Sequence, residues 1–157
     1  MRALIVEDDL LLAEYYQVCL ESQGYECALV RTVDDARVVI EADRFNLYVF
    51  NLFLLGKSTG PLTWKVRYQN RGATIIMVTG ADFFPVEGKT KHFTADYIFR
   101  KPVDGHDLGA LAASKAREHA EKLEAEQGGG PTREPLTREE QRFEEDTVPT
   151  SKRSKGG

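Results

Sequence analysis

Apolar residues fall along this chain in five short runs, separated by stretches with helical spacing. The first run, residues 2–6, ends abruptly in Glu7-Asp8-Asp9. Apolar runs of this length read as strands buried on both faces of a parallel sheet. Leu12, Tyr16, Cys19 and Leu20 follow at helical spacing, and Gly24 is placed to end that helix. Residues 25–30 read as a second strand, after which Thr32 caps a helix with Asp35 three residues on and Val39 and Ile40 as anchors. Leu47-Tyr48-Val49-Phe50 is the strongest strand signal, and its apolar character continues to Leu55. A loop with Gly56, Ser58 and Gly60 leads to a third helix, with Leu62, Trp64 or the stem of Lys65, Val66 and Tyr68 expected inside. Residues 74–78 form a fourth strand closed by Thr79-Gly80, and residues 97–99 a fifth that ends at Lys101-Pro102. Asp104 caps the last helix, with Asp107 in its first turn; that helix runs from His106 to about Gln127, along a weak stripe of Leu108, Ala112, Ala116, Ala120 and Leu123. Strands alternating with helices predict an α/β fold, a doubly wound five-stranded parallel sheet of the (βα)5 kind.

The 157 residues are 41% hydrophobic and 29% charged, an ordinary globular balance. No apolar run reaches the roughly 18 residues of a membrane span, and the acids at 7–9 arrive before a signal peptide's apolar region forms. A cytoplasmic protein is expected. Cys19 and Cys27 cannot make a zinc cluster alone and read as buried apolar residues or bystanders. A formal charge of −4 argues against a nucleic-acid surface. At Gly128-Gly129-Gly130 the composition changes: beyond it the sizeable apolar residues are Leu136, Phe143 and Val148. Residues 1–127 are therefore expected as one domain and 128–157 as a disordered polar tail, with a transient helical turn near Thr137 to Glu145.

In a parallel sheet with helices on both faces, ligands bind beyond the carboxyl ends of the strands. The expected strands deliver Glu7, Asp8 and Asp9, then Asn51, Thr79 and Lys101 followed by Pro102 to that rim. Clustered carboxylates repel unless a cation sits among them, and such oxygen donors suit Mg²⁺. A hydroxyl and an ammonium opposite suit a phosphoryl group. The blander alternative is that Glu7-Asp8-Asp9 caps the first helix, Thr79 serves backbone groups and Lys101 is an ordinary rim lysine. His92, His106 and His119 have no metal spacing and read as solvent residues. Trp64 and Phe83-Phe84 read as core, although Phe83, Phe84 and Phe93 on a poor helix would leave an apolar partner surface.

In this order the residues resemble the CheY-like receiver domain of bacterial two-component response regulators, a flavodoxin-like fold. The resemblance covers residues 1 to about 120 and rests on Ala3-Leu4-Ile5-Val6-Glu7-Asp8-Asp9, Asn46-Leu47-Tyr48-Val49-Phe50-Asn51, Ile76-Met77-Val78-Thr79-Gly80 and Arg100-Lys101-Pro102. In that family an acidic pair and a central aspartate hold Mg²⁺, and the aspartate accepts phosphate from a histidine kinase. The resemblance assigns Glu7 and Asp8 to the acidic pair, Thr79 to the shifting hydroxyl, Lys101 to the phosphoryl-pairing lysine and Pro102 to a cis bond.

Four departures stand out. Asn51 holds the phosphoacceptor position, where an amide forms no acyl phosphate; the lost charge weakens any Mg²⁺ site by about 1–4 kcal/mol and frees Lys101 to pair with Asp8. Ile98 replaces the switch aromatic three residues before the lysine. Leu55 stands where a proline is usual, in a loop that looks slightly lengthened. The fourth-helix segment, residues 82–93, contains Pro85 and Gly88. The implied function is a stand-alone atypical receiver without an output domain, not an enzyme, that requires no cofactor and keeps at most weak Mg²⁺ binding. It would dock, independently of phosphorylation, to a histidine kinase, another response regulator or itself. The competing reading is a phosphorylatable receiver with Asp8 or Asp9 as acceptor. No nucleophile is paired with a base, and no glycine-rich phosphate loop occurs.

Overall fold

A computed structural model describes residues 1–80 and 92–128. The elements are β1 (Arg2–Val6), α1 (Leu10–Glu21), β2 (Glu26–Val30), α2 (Val33–Ala42), β3 (Leu47–Asn51), β4 (Phe53–Leu54), β5 (Lys57–Ser58), α3 (Gly60–Gln69), β6 (Thr74–Thr79), β7 (Tyr97–Arg100) and α4 (Gly105–Gly128). Five strands form one parallel sheet in the order β2-β1-β3-β6-β7. Ile5 pairs with Leu29 on one side and Val49 on the other, so β1 lies inside the sheet. The chain divides into a unit over Met1–Glu121 and a second from Lys122 on; of the second, residues 122–128 are described and are helical.

The continuous apolar runs are explained by cover on both faces. Leu4, Val6, Tyr48, Phe50, Ile75 and Met77 pack with Val33, Ala36 and Ile40 of α2 and with Leu62 and Val66 of α3. Their strand neighbours Ala3, Ile5, Leu47, Val49, Ile76 and Val78 pack with Ala13, Tyr16 and Leu20 of α1 and with Leu108 and Ala112 of α4. Alternate side chains of one strand thus serve opposite faces. Helix starts follow local chemistry: Asp9 caps α1 by accepting from Leu11 N–H (2.9 Å) and Leu12 N–H (3.1 Å), and Thr32 caps α2 through Asp35 N–H.

Several expectations change. The apolar run after Phe50 does not continue as strand to Leu55. The chain turns back in a small antiparallel hairpin of β4 and β5, through Leu55 (φ 48) and Gly56 (φ 80). Two successive residues with positive φ match the twist of a two-residue hairpin; Gly56 meets that demand without cost, and Leu55 is held by its N–H bond to Asp8. On α3 the inward residues are Leu62, Thr63 and Val66, whereas Trp64 and Tyr68 are 51% and 87% exposed. Polar Thr63 takes an inward place because its hydroxyl donates to Gly60 C=O and accepts from Thr94 N–H. Phe93 is buried, not part of an exposed patch. Ala120 and Leu123 are exposed, so the α4 stripe ends earlier than its sequence suggests. His119 is partly buried, and His92 and His106 are exposed. The fourth-helix segment through Lys91, with Phe83 and Phe84, and the tail after Gly128 lie outside the described residues.

Candidate functional site

The carboxyl ends of β1, β3, β6 and β7 place the predicted residues on one rim. Glu7 directly follows β1, Asn51 and Thr79 end β3 and β6, and Lys101 directly follows β7. The Asn51 amide donates through Nδ2 to Glu7 Oε1 (3.0 Å) and Asp8 Oδ1 (3.1 Å). Ionised carboxylates only accept, so the amide turns its NH₂ side toward them. Lys101 Nζ lies 3.2 Å from Glu7 Oε2, and Leu55 N–H donates to Asp8 Oδ2 (3.2 Å). All four oxygens of the acidic pair therefore have a donor.

The lysine pairs with Glu7, not with Asp8 as the sequence suggests. Glu7 is 1% exposed, and a buried charge without a counter-charge is costly. Asp8 is only half-buried and is served by neutral donors. The three consecutive acids divide the work: Glu7 and Asp8 face the site, and Asp9 spends its carboxylate on the α1 cap. Its N–H in turn donates to Glu7 Oε1 (3.2 Å).

The two site carboxyls titrate in opposite directions. Burial pushes Glu7 above the usual carboxylate range, and its hydrogen bond to Asp8 pushes the same way, outweighing the Asp9 N–H and Lys101. Burial also pushes Asp8 upward, but the hydrogen bonds from Glu7, Leu55 N–H and Asn51 overcome it and hold Asp8 low. A proton arriving at the pair therefore rests on Glu7.

Thr79 is 2% exposed, and its hydroxyl lies 3.3 Å from Gly80 C=O as donor. Lys101 N–H bonds Thr79 C=O (2.8 Å), and the Lys101–Pro102 peptide is cis. Ile98 pairs in register with Met77 but is 39% exposed. Two residues that the sequence did not single out brace the site. Buried Thr59 donates its hydroxyl to Asn51 C=O (2.8 Å), and Arg31 donates to Asp8 C=O through Nε (3.2 Å) and Nη2 (2.9 Å). Neither belongs to a recognisable motif; only tertiary contact reveals them. Among the described residues no group of three or more His, Cys, Asp or Glu side chains gathers as a metal site, and no helix is long and apolar enough to cross a membrane. Cys19 and Cys27 are free, half-buried thiols.

The sequence model of the response regulator receiver domain matches residues 3–113. The transcriptional regulatory protein BasR of Escherichia coli is 27% identical over 126 residues, covering 80% of this chain and 57% of that protein; the chain spans little more than half of that relative's length. A CheY-like receiver domain protein from Methanospirillum hungatei is similar in structure, with 30% identity, a TM-score of 0.66, and coverage of 77% of this chain and 97% of that one. The receiver domain of a putative LuxO repressor protein from Vibrio parahaemolyticus shares the fold, with 24% identity, a TM-score of 0.65, and coverage of 78% and 95%.

Proposed function

The chain belongs to the response regulator receiver domain family, and we propose that within it the chain is an atypical receiver, docking to a protein partner in a state that phosphoryl transfer to residue 51 does not set. The observation that carries this is the double hydrogen bond from Asn51 Nδ2 to Glu7 and Asp8. An amide nitrogen has its lone pair delocalised and is no nucleophile toward phosphorus, so the acceptor step has no chemistry at this position. The same N–H groups occupy the carboxylate oxygens that a cation would need. Lys101 brings a full positive charge to Glu7, so the buried acid of the pair has its counter-charge within the chain, and Asp8 is met by neutral donors. With these oxygens already engaged and no third carboxylate beside them, the rim keeps at most weak Mg²⁺ binding. The described rim holds no nucleophile–base pair, which supports a binding protein over an enzyme, and a histidine kinase or a second response regulator is the expected partner class.

Asp9 is a poor substitute acceptor because its carboxylate holds the α1 cap, and both Asp8 oxygens already accept hydrogen bonds. Intact-mass analysis after acetyl phosphate and Mg²⁺ treatment decides the matter. Asn51→Asp gains one phosphoryl group and the natural chain gains none. A phosphoryl group on the natural chain, lost in Asp8→Ala, would sink the reading.

A further inference from the structure

Charge is sorted by sign along this chain. Between Arg2 and Arg31 lie Glu7, Asp8, Asp9, Glu14, Glu21 and Glu26, with no lysine or arginine. Between Asp43 and Asp82 lie Arg44, Lys57, Lys65, Arg67 and Arg71, with no acid. The first stretch contains α1 and the second contains α3, and each helix carries an apolar stripe facing away from the core. On α1, Leu11 (77% exposed), Tyr15 (44%) and Val18 (66%) follow at i, i+4 and i+7, so they share one side of the helix, with exposed Glu14 beside them. On α3, Trp64 and Tyr68 stand at i and i+4, with exposed Pro61 one turn earlier.

The α3 cations flank its aromatics. Lys65 pairs with Glu41 and Arg67 with Asp96, so their charge is partly met within the chain. Exposed Arg71 has no acidic partner among the described residues and sets the local sign. Tryptophan, tyrosine and arginine together are what interface centres are enriched in.

We propose that the two stripes are the halves of one interface, so that α1 of one copy docks on α3 of a second copy. Pairing α1 with α1 would set Glu14 and Glu21 against themselves, and pairing α3 with α3 would set Arg71, just beyond that helix, against its own copy; the mixed contact brings the acids of α1 to Arg71. The two helices lie on opposite faces of the sheet. A copy engaged through α1 therefore keeps its α3 free, and association runs head to tail instead of closing a twofold dimer. Glu7, Asp8, Asn51, Thr79 and Lys101 take no part, so the outcome at the acceptor position leaves this inference untouched.

Light scattering on the eluting full chain tests it. At about 50 mM salt the mass rises with concentration from the 17.7 kDa of one chain past that of two, and near 0.5 M salt it returns toward one. Val18→Arg closes the α1 face, and Trp64→Ala with Tyr68→Ala closes the α3 face. These residues are exposed, so urea midpoints should stay close to that of the natural chain. Each variant alone stays at one chain, with association weakened at least about tenfold. Mixed in equal amounts, they retain one open α1 and one open α3 and form a 1:1 complex that grows no further. Trp64 is the chain's one tryptophan, so in the mixture emission comes from the Val18→Arg chain alone and shifts to the blue as its α3 is covered. A natural chain that stays at one copy at every concentration and salt, a complex that stops at two, or a mixture that remains single chains would each overturn the proposal.

Discussion

The centre of the sheet is closed, and its β7 edge is open. Val49, Phe50, Ile76 and Met77 are at most 1% exposed, while Tyr97 and Ile98 on β7 are 36% and 39% exposed. The charged ends of the strands repeat the contrast. At the centre Asn51 is bound into Glu7 and Asp8 and braced by Thr59. At the edge Ile98 is an aliphatic side chain partly in water. A polar side chain in the closed region must satisfy every buried polar neighbour, and Asn51 does so by donating to both acids. A substitution at the open edge disturbs little packing.

Substitutions separate the two regions by size of effect. Phe50→Ala at the closed centre should cost about 3–5 kcal/mol in urea unfolding; a loss below about 1 kcal/mol would mean that the centre is not packed as described. Without divalent metal, Asn51→Asp removes two donors and adds a like charge beside Glu7 and Asp8, and should lose about 1–3 kcal/mol. Millimolar Mg²⁺ should return much of that loss in the variant and leave the natural melting temperature unmoved. Gly60→Ala should also cost about 1–3 kcal/mol, because a Cβ there collides with the His92 carbonyl. Ile98→Ala at the open edge should cost less than about 1 kcal/mol, and an equal loss at Ile98 and Phe50 would erase the contrast.

The smallest effect is one of pH. Glu7 sits above its ordinary value, so the folded state binds its proton more tightly than the unfolded chain does. That contribution is complete below about pH 4 and disappears as pH rises through the folded value. Asp8 sits below its ordinary value; its contribution is present above about pH 4 and is lost as pH falls. The stability gap between the natural chain and Asp8→Asn should therefore narrow on acidification from pH 7 to pH 3 in a series of urea midpoints. A gap that widens would show that Asp8 is not the low member of the pair.

Much of the fold was legible because its signals are local. The runs at 2–6, 47–50 and 74–78 became strands, and Thr32 and Asp9 cap helices through atoms two or three residues away. The rim was legible residue by residue, since strand ends in a parallel sheet must share an edge. The Leu52–Leu55 run misled because its apolar character matches a strand, while Leu55-Gly56 adopts a turn that the sheet's twist favours. Trp64 and Tyr68 misled because large aromatics read as core, yet Leu62, Thr63 and Val66 took the inward side of α3.

By itself the sequence determined where the five strands of the sheet and the helices beside them lie, which residues reach the rim, and that residue 51 carries an amide with no nucleophilic oxygen. Those properties belong to a residue and its near neighbours. Only the tertiary structure decided that Lys101 meets Glu7 instead of Asp8, that the amide faces the acids, and that Arg31 and Thr59 hold the site from outside. Such pairings join atoms far apart in the chain. They are set by which carboxylate is buried deepest and which donors the packed helices and hairpin leave within reach.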